Sequence, residues 1–312
     1  MSTKLCGKTA AEHIYETIKV KIERILKHNI VPGLTVIQVG DKKDSTTYVN
    51  MKAKMCEKYK IKSNVLRLPE TIKERELIEI VNSHNNDKSV HGILIQLPLP
   101  KHICEDNVLN SVDISKDVDG FNIQNVGKLS INAKPKFVPC TPDGCMEMLK
   151  YYNINVAGKH AVVIGRSRIV GLPLAHLLLR ENATVSICHS KTENLKSITK
   201  SADLIFAACG KANFIDKTMV KEDAIIIDIG INPVEDETKK SGYRLVGDVN
   251  YDDVKEKVQA ITPVPGGVGP MTIAMLLKHT VDAVEMQIPW AERAKGKNAR
   301  AWSIYSLHLR IL

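Results

Sequence analysis

Tyr48 and Lys52 stand four residues apart in a stretch whose pattern predicts a helix, so the two side chains share one face. A lysine beside a phenol in a cleft that excludes water gives up its charge readily, or donates to a developing oxyanion. On an open helix face the same pair is only solvated surface. Gln96 closes the apolar run Ile93-Leu-Ile-Gln-Leu97. Its amide needs partners there, and open α/β sheets place ligands at the C-terminal ends of their strands. A ligand contact and a satisfied structural amide both fit. Asp119, within Lys116-Asp-Val-Asp-Gly120, suits a turn or the binding of a polar heterocycle such as an aminopyrimidine.

Two further stretches point to anionic or electron-rich partners. Pro263-Val-Pro-Gly-Gly-Val-Gly-Pro-Met-Thr272 puts three glycines and three prolines before a helical pattern. Glycine lets a backbone approach a ligand closely, Pro270 suits a first helical turn, and the free N–H groups there attract negative charge. A stiff turn before a helix is the plain alternative. Gly165-Arg-Ser-Arg-Ile-Val-Gly171 joins a strand to a helix, as a pyrophosphate cradle does. It departs from G-x-G-x-x-G, because Ser167 stands at the second glycine position. After the next strand comes Cys188-His-Ser-Lys191, with no acid until Glu193. An acid at that place binds the ribose hydroxyls of NAD and repels a 2′-phosphate. Arg166 and Ser190, with Lys191, instead suit a phosphate, so NADP is expected over NAD; capping of the following helix is the simpler use of the same residues.

These residues need a scaffold, and the patterning supplies one. Helical periodicity covers 8–28, 45–59 and 73–84, alternating with strand-like runs at 34–40, 63–68 and 90–97. A helix over 141–152 leads into a second alternation, with strands at 160–164, 184–188, 202–208 and 224–228 and a helix at 172–181. Residues 234–246 read as an exposed loop or hairpin. Strands alternating with helices mean parallel sheets. The fold class expected is α/β in two domains. An N-terminal α/β domain covers 1–149 and a Rossmann-type domain 150–270. A final helix, about 271–286, packs back on the first domain, and a basic tail spans 287–312.

With 312 residues the chain is long enough for two such domains. Its net charge of +9 favours anionic partners without choosing among them. Aromatic residues at 4% argue against base stacking on single strands, and nucleic-acid binding is not expected. Seven cysteines without a secretory signal point to free thiols in a reducing compartment, hence a cytoplasmic protein. No run of 18 apolar residues is present, so no membrane span is expected. The cysteine and histidine spacing suggests no metal site.

Taken together, the stretches Tyr48-Val-Asn-Met-Lys52, Gly92-Ile-Leu-Ile-Gln-Leu-Pro-Leu99, Lys116-Asp-Val-Asp-Gly120, Thr141-Pro142, Gly165-Arg-Ser-Arg-Ile-Val-Gly171, His189-Ser190, Asp228-Ile-Gly-Ile-Asn232 and the 263–272 segment carry a resemblance. In that order, over about residues 5–286, the chain resembles the bifunctional methylenetetrahydrofolate dehydrogenase/methenyltetrahydrofolate cyclohydrolase family. The resemblance implies NADP-dependent oxidation of 5,10-methylenetetrahydrofolate and hydrolysis of the product to 10-formyltetrahydrofolate in one cleft. It places the chain in one-carbon metabolism and purine biosynthesis, as a homodimer acting on polyglutamylated folates. It implies that Lys52 is the key catalytic group, that Tyr48 stacks on the folate, that Gln96 tunes Lys52 and that Asp119 holds the pterin. The folate site is implied to include Val49, Asn50, Met51, Ile95, Leu97, Pro265, Gly266, Gly267, Val268 and Gly269. The cofactor site is implied to include Gly165, Arg166, Ser167, Ser190, Ile231 and Thr272. NAD-using relatives carry Arg where this chain has Ser190.

Overall fold

A computed structural model describes residues 2–239 and 242–287. From the N-terminus the chain forms β1 (Thr3–Lys4), α1 (Gly7–Leu26), β2 (Gly33–Val39), α2 (Lys43–Lys58), β3 (Lys62–Leu68), α3 (Glu74–Asn86), β4 (Gly92–Gln96), α4 (Glu105–Ser111), α5 (Ile123–Ser130) and α6 (Cys140–Tyr151). It continues with β5 (His160–Ile164), α7 (Gly171–Arg180), β6 (Thr184–Cys188), α8 (Leu195–Lys200), β7 (Leu204–Ala207), β8 (Ile225–Asp228), β9 (Asn232–Glu235), β10 (Tyr243–Val246), α9 (Tyr251–Val254), β11 (Ala260–Ile261) and α10 (Val268–Gln287).

Two parallel sheets result. The smaller has the order β3-β2-β4. All seven residues of β2 are buried, as a strand covered on both faces requires. The larger has the order β1-β11-β8-β7-β5-β6, parallel throughout. In it the chain leaves β5 toward β6 on one side and later returns to β7 on the other. The switch point, where such sheets bind ligands, therefore lies outside the ends of β5 and β7. Strands β9 and β10 form an antiparallel hairpin, which settles the 234–246 alternative.

One apolar cluster runs through both units, from Ile14 and Ile18 of α1 through Leu94, Met148 and Val163 to Phe206 and Leu276. Helix α10 is its axis. Buried residues lie on every side of it, as expected of a helix that is hydrophobic all round, and it packs against α1 and α6.

The structure departs from the expected elements at three points. The final helix begins at Val268, not 271, so Pro270 falls in its first turn. Residues 1–149 do not all belong to the first unit: Thr3 and Lys4 pair with Ala260 and Ile261 at the edge of the large sheet, a two-residue pairing too short to leave a pattern. Helices α4 and α5, absent from the periodicity reading, are 7 and 8 residues long. Beyond Gln287, the tail placed at 287–312 lies outside the described residues.

Candidate active site

A cleft of about 540 Å³ opens between α1, α2, the end of β8 and the 263–270 segment. Tyr48 and Met51 of α2 line one wall; Ile231 and residues 263–270 line the other. The cofactor-assigned Ile231 and the folate-assigned Tyr48 and Pro265 to Gly269 thus share one space. A Cβ added at Gly266 or Gly269 would meet no atom within 4 Å, so these glycines present bare backbone to the cleft. At Gly7, on the other side of the segment, a Cβ would overlap the carbonyl oxygen of Gly267, and the Gly7 N–H donates to the Gly266 carbonyl at 2.9 Å. The start of α1 and the glycine segment are locked backbone to backbone.

One turn along α2 from Tyr48, Lys52 is turned toward β4. Its Nζ donates to Gln96 Oε1 at 3.0 Å. The amide cannot flip without loss, because Gln96 Nε2 donates to the Leu97 carbonyl at 2.8 Å. Gln96 therefore offers Lys52 an oxygen and no charge. Lys52 is 9% exposed, and burial pushes its ammonium well below the usual lysine range, opposed first by Asp119. Asp119 is half-buried. Burial raises its carboxyl, and Lys52 is the largest influence holding it down. The two make no direct ion pair. Burial thus favours the neutral amine here more than at a solvated lysine, and a neutral amine can accept a proton.

The Lys116-Asp-Val-Asp-Gly120 turn divides its labour. Lys116 Nζ donates to the His84 and Asp87 carbonyls at 3.0 and 2.8 Å, closing the C-terminus of α3 as cations do there. Asp117 accepts from the Phe121 and Asn122 N–H groups and from Asn125 Nδ2, fixing the start of α5. Gly120 has φ 71°, and a Cβ there would come within 2.6 Å of the Val138 carbonyl carbon. The scaffold uses Lys116, Asp117 and Gly120, leaving Asp119 to face Lys52.

Other assigned residues are placed differently. Val49 is fully buried in the core and Ile95 is 3% exposed in the cluster around β4, so neither offers the cleft a side chain. Asn50 is exposed and accepts from Arg67 Nη2 at 2.8 Å; it faces β3. Leu97 is half-buried beside Gln96.

At the cofactor end, Gly165 has φ 130°, and a Cβ on it would overlap the Ala208 carbonyl oxygen. A Cβ on Gly171 would overlap the Gly165 carbonyl. The tight turn is thus a backbone cradle at the N-terminus of α7, with Arg166 and Ser167 exposed at its rim. Ser167 also has a local duty: its Oγ accepts from the Val170 and Gly171 N–H groups. Ser190 is exposed just past β6. Thr272 Oγ1 lies 3.0 Å from Thr141 Oγ1, joining α10 to α6. A dinucleotide fits this donor set: bare backbone for the pyrophosphate, and Arg166 with Ser190 for a 2′-phosphate.

One carboxylate pair escaped the sequence reading. Asp248 accepts from the N–H groups of Cys209, Gly210 and Lys211 and from Asn232 Nδ2. Asp228 accepts from those of Gly230, Asp248 and Val249. Together they tie down the loops after β7 and β8. Gly230 and Gly247 are the available signal, since a Cβ on either would overlap the opposite carboxylate.

Comparison with known proteins agrees with this geometry. The family model for the tetrahydrofolate dehydrogenase/cyclohydrolase catalytic domain matches residues 5–119, and that for its NAD(P)-binding domain matches 139–288. A bifunctional FolD protein of Campylobacter concisus is 52% identical over 284 residues, 91% of this chain and 98% of that one. The chain belongs to the tetrahydrofolate dehydrogenase/cyclohydrolase family. Another member, the chloroplastic bifunctional FolD 4 of Arabidopsis thaliana, is 53% identical over 89% of this chain and 78% of its own. Among solved structures, the bifunctional FolD of Campylobacter jejuni superposes with a TM-score of 0.88 at 49% identity, covering 92% of this chain and all of that one. The Trypanosoma brucei enzyme, solved with NADP cofactor and an inhibitor, gives a TM-score of 0.88 at 36% identity over 91% and 98% of the two chains.

Within this family member, Gln96 supports a direct test. Gln96→Glu sets a carboxylate where Lys52 now meets a neutral oxygen, and an opposite charge that close raises a lysine pKa by about 1–3 units. At any given pH the neutral amine becomes scarcer. Hydrolysis of the methenyl compound should fall about tenfold or more and its pH profile move to the alkaline side. An unmoved profile would show that Gln96 does not set the charge of Lys52.

Proposed function

We propose that Lys52, buried on the Gln96 amide beside a cleft walled by bare glycine backbone, carries the second of two successive reactions. The chain is a bifunctional enzyme. It oxidises 5,10-methylenetetrahydrofolate with NADP⁺ to 5,10-methenyltetrahydrofolate, then hydrolyses that cation to 10-formyltetrahydrofolate.

In the first step the residues position. Tyr48 lies against the folate rings, Asp119 accepts from the pterin edge, and Gly266 and Gly269 let the substrate close on the backbone. Arg166 and Ser190 hold the cofactor's 2′-phosphate over the turn that begins at Gly165. NADP⁺, when bound, supplies the hydride acceptor. Alignment alone lowers such a barrier substantially. In the second step water adds to the methenyl carbon. Neutral Lys52 Nζ, held by its donation to Gln96 Oε1, takes the proton released by that water and leaves a neutral carbinolamine. The carbinolamine hydroxyl then gives up its proton as the departing ring nitrogen gains one, the C–N bond opens to the formyl product, and the proton held by Lys52 leaves for solvent, one per turnover.

The same reading extends to the setting of the enzyme. We draw the domains as a catalytic unit to 149 completed by α10, and a dinucleotide unit over 150–270 that also takes in β1. The protein acts as a homodimer on polyglutamylated folates in the cytoplasm, and its product feeds purine biosynthesis. The seven cysteines, all free, fit a reducing compartment. No helix among the described residues is long and apolar enough to cross a membrane.

A paired assay tests the core of the proposal. With methylenetetrahydrofolate and NADP⁺, reduced cofactor should appear without build-up of the methenyl intermediate, and NAD⁺ should serve poorly. Build-up would remove Lys52 from its role. For the cofactor, Ser190→Asp puts a carboxylate at the 2′-phosphate, as in NAD-binding folds. The kcat/KM for NADP⁺ should drop about 10- to 100-fold, 1.4 to 2.7 kcal/mol, with little change for NAD⁺. An equal loss for both would mean that Ser190 does not read the phosphate.

A further inference from the structure

Next to the peptide that carries Asp119 sits an ionisable pair that the reaction above does not use. His279 of α10 is 4% exposed. Its Nδ1 lies 2.9 Å from the Val118 carbonyl and its Nε2 2.9 Å from Asp143 Oδ2 on α6. A carbonyl never donates, so Nδ1 must carry a hydrogen. A neutral imidazole has only one N–H. Nε2 then faces a carboxylate oxygen with a bare lone pair unless it too is protonated. A contact of 2.9 Å thus requires one proton between Nε2 and Asp143 Oδ2, and because a carboxylate is the weaker base that proton belongs on the imidazole: an imidazolium opposite an ionised Asp143. Val118 is the residue before Asp119, and its carbonyl also accepts from the Cys140 thiol at 3.3 Å.

We propose that His279, protonated and held by Asp143, is a positioning residue for folate binding: it anchors the peptide that carries Asp119 and keeps a positive charge near that carboxylate. The inference rests on Asp119 being the pterin anchor. The effect of burial on Asp119 is opposed by Lys52 foremost, then by a hydrogen bond with Cys140 and by His279. The other groups around the ring are accounted for. Phe137 packs on it with ring centroids 5.5 Å apart, and Cys140 Sγ stands 3.6 Å from Nδ1. On α10 itself, Lys278 is paired to Asp282 at 2.9 Å, and Asp282 also accepts from Lys21 of α1. Lys278 feels Asp143 and Glu147 of α6 more weakly. No carboxylate other than Asp143 bonds to the imidazole. Loss of the shared proton leaves Asp143 as an uncompensated charge and removes the cation near Asp119.

The experiment uses the full chain and steady-state kinetics with methylenetetrahydrofolate and NADP⁺ between pH 6 and 9. In the parent enzyme the KM for the folate should rise with pH as the pair loses its proton. His279→Asn keeps an amide N–H toward the Val118 carbonyl but removes the charge. It should raise the folate KM about fivefold to tenfold at the acid end and flatten the profile, while kcat and the NADP⁺ KM stay within about twofold. Asp143→Asn should flatten the profile too. Spectra of ¹⁵N-histidine-labelled enzyme at pH 7 should show both nitrogens of the His279 ring protonated, a signature that needs no variant to fold. A single neutral tautomer there overturns the proposal, as does an unchanged KM profile in His279→Asn. Asp119→Asn separates the two layers. If it raises the folate KM and His279→Asn does not, the His279 inference fails alone. If Asp119→Asn leaves the KM unchanged, the pterin-anchor reading fails and takes this inference with it.

Discussion

Lys52→Met is expected to abolish cyclohydrolase activity while leaving NADP⁺ binding intact, so that oxidation of methylenetetrahydrofolate stops at the methenyl compound. Removal of a positioned proton-transfer group costs about 10²- to 10⁴-fold in rate. Folding should not suffer. Lys52 is buried against a neutral amide with no direct ion pair, and replacing such a charge by an apolar side chain of similar length is neutral to stabilising. The pH dependence has a definite sign. Burial lowers the folded-state pKa of Lys52, so the unfolded chain, with its lysine near 10.4, binds that proton more tightly. Parent stability therefore rises with pH between the depressed folded value and the unfolded one, and the Met variant should lack that rise. Hydrolysis by the parent enzyme should rise with pH through the same folded value. Full hydrolysis by Lys52→Met, or loss of its NADP⁺ binding, would contradict the assignment.

Gly7→Ala is the second large effect, and two terms of opposite sign decide it. Alanine is favoured over glycine within a helix by about 1 kcal/mol, less at a first helical residue such as this. Against that, the new Cβ overlaps the Gly267 carbonyl, an atom of backbone that cannot rotate away. Forcing extra volume into a filled site costs about 1–3 kcal/mol, and the 2.9 Å bond from Gly7 to Gly266 is put at risk as well. The clash wins. We expect a net loss of about 2 kcal/mol, a fall in Tm of roughly 5 °C and a raised folate KM, because any retreat shifts the glycine wall of the cleft. A variant with unchanged Tm and KM would show that the segment yields freely and does not shape the site.

The sequence exposed the candidate site residues more readily than their supports. Tyr48, Lys52 and Gln96 were legible through the motifs that carry the resemblance; by spacing alone the first two suit a solvated face and the third a structural amide. The parallel sheets followed from alternating runs such as those of β2 and β5. Other features were illegible for identifiable reasons. Thr3 and Lys4 become a strand only because β11 lies beside them, and two residues have no period. Asp248 looks like any turn acid until the N–H groups of Cys209, Gly210 and Lys211 converge on it. His279 reads as one polar residue in an apolar helix, and Asp143 as part of a helix start; 136 positions separate them. Val49 and Asn50 sit within a matching motif, yet helix geometry turns one into the core and the other toward Arg67.

The pairing of β1 with β11 has a consequence in time. Thr3 waits for Ala260, which is 260 − 3 = 257 residues later. At a synthesis rate of about 5–20 residues per second, β1 stands without its partner for roughly 13 to 50 s. Strand β1 can dock only when the dinucleotide-binding half is nearly complete, and α10 then returns to the half that holds β2, β3 and β4. Each half is closed by a segment distant along the chain, so neither is finished before the other.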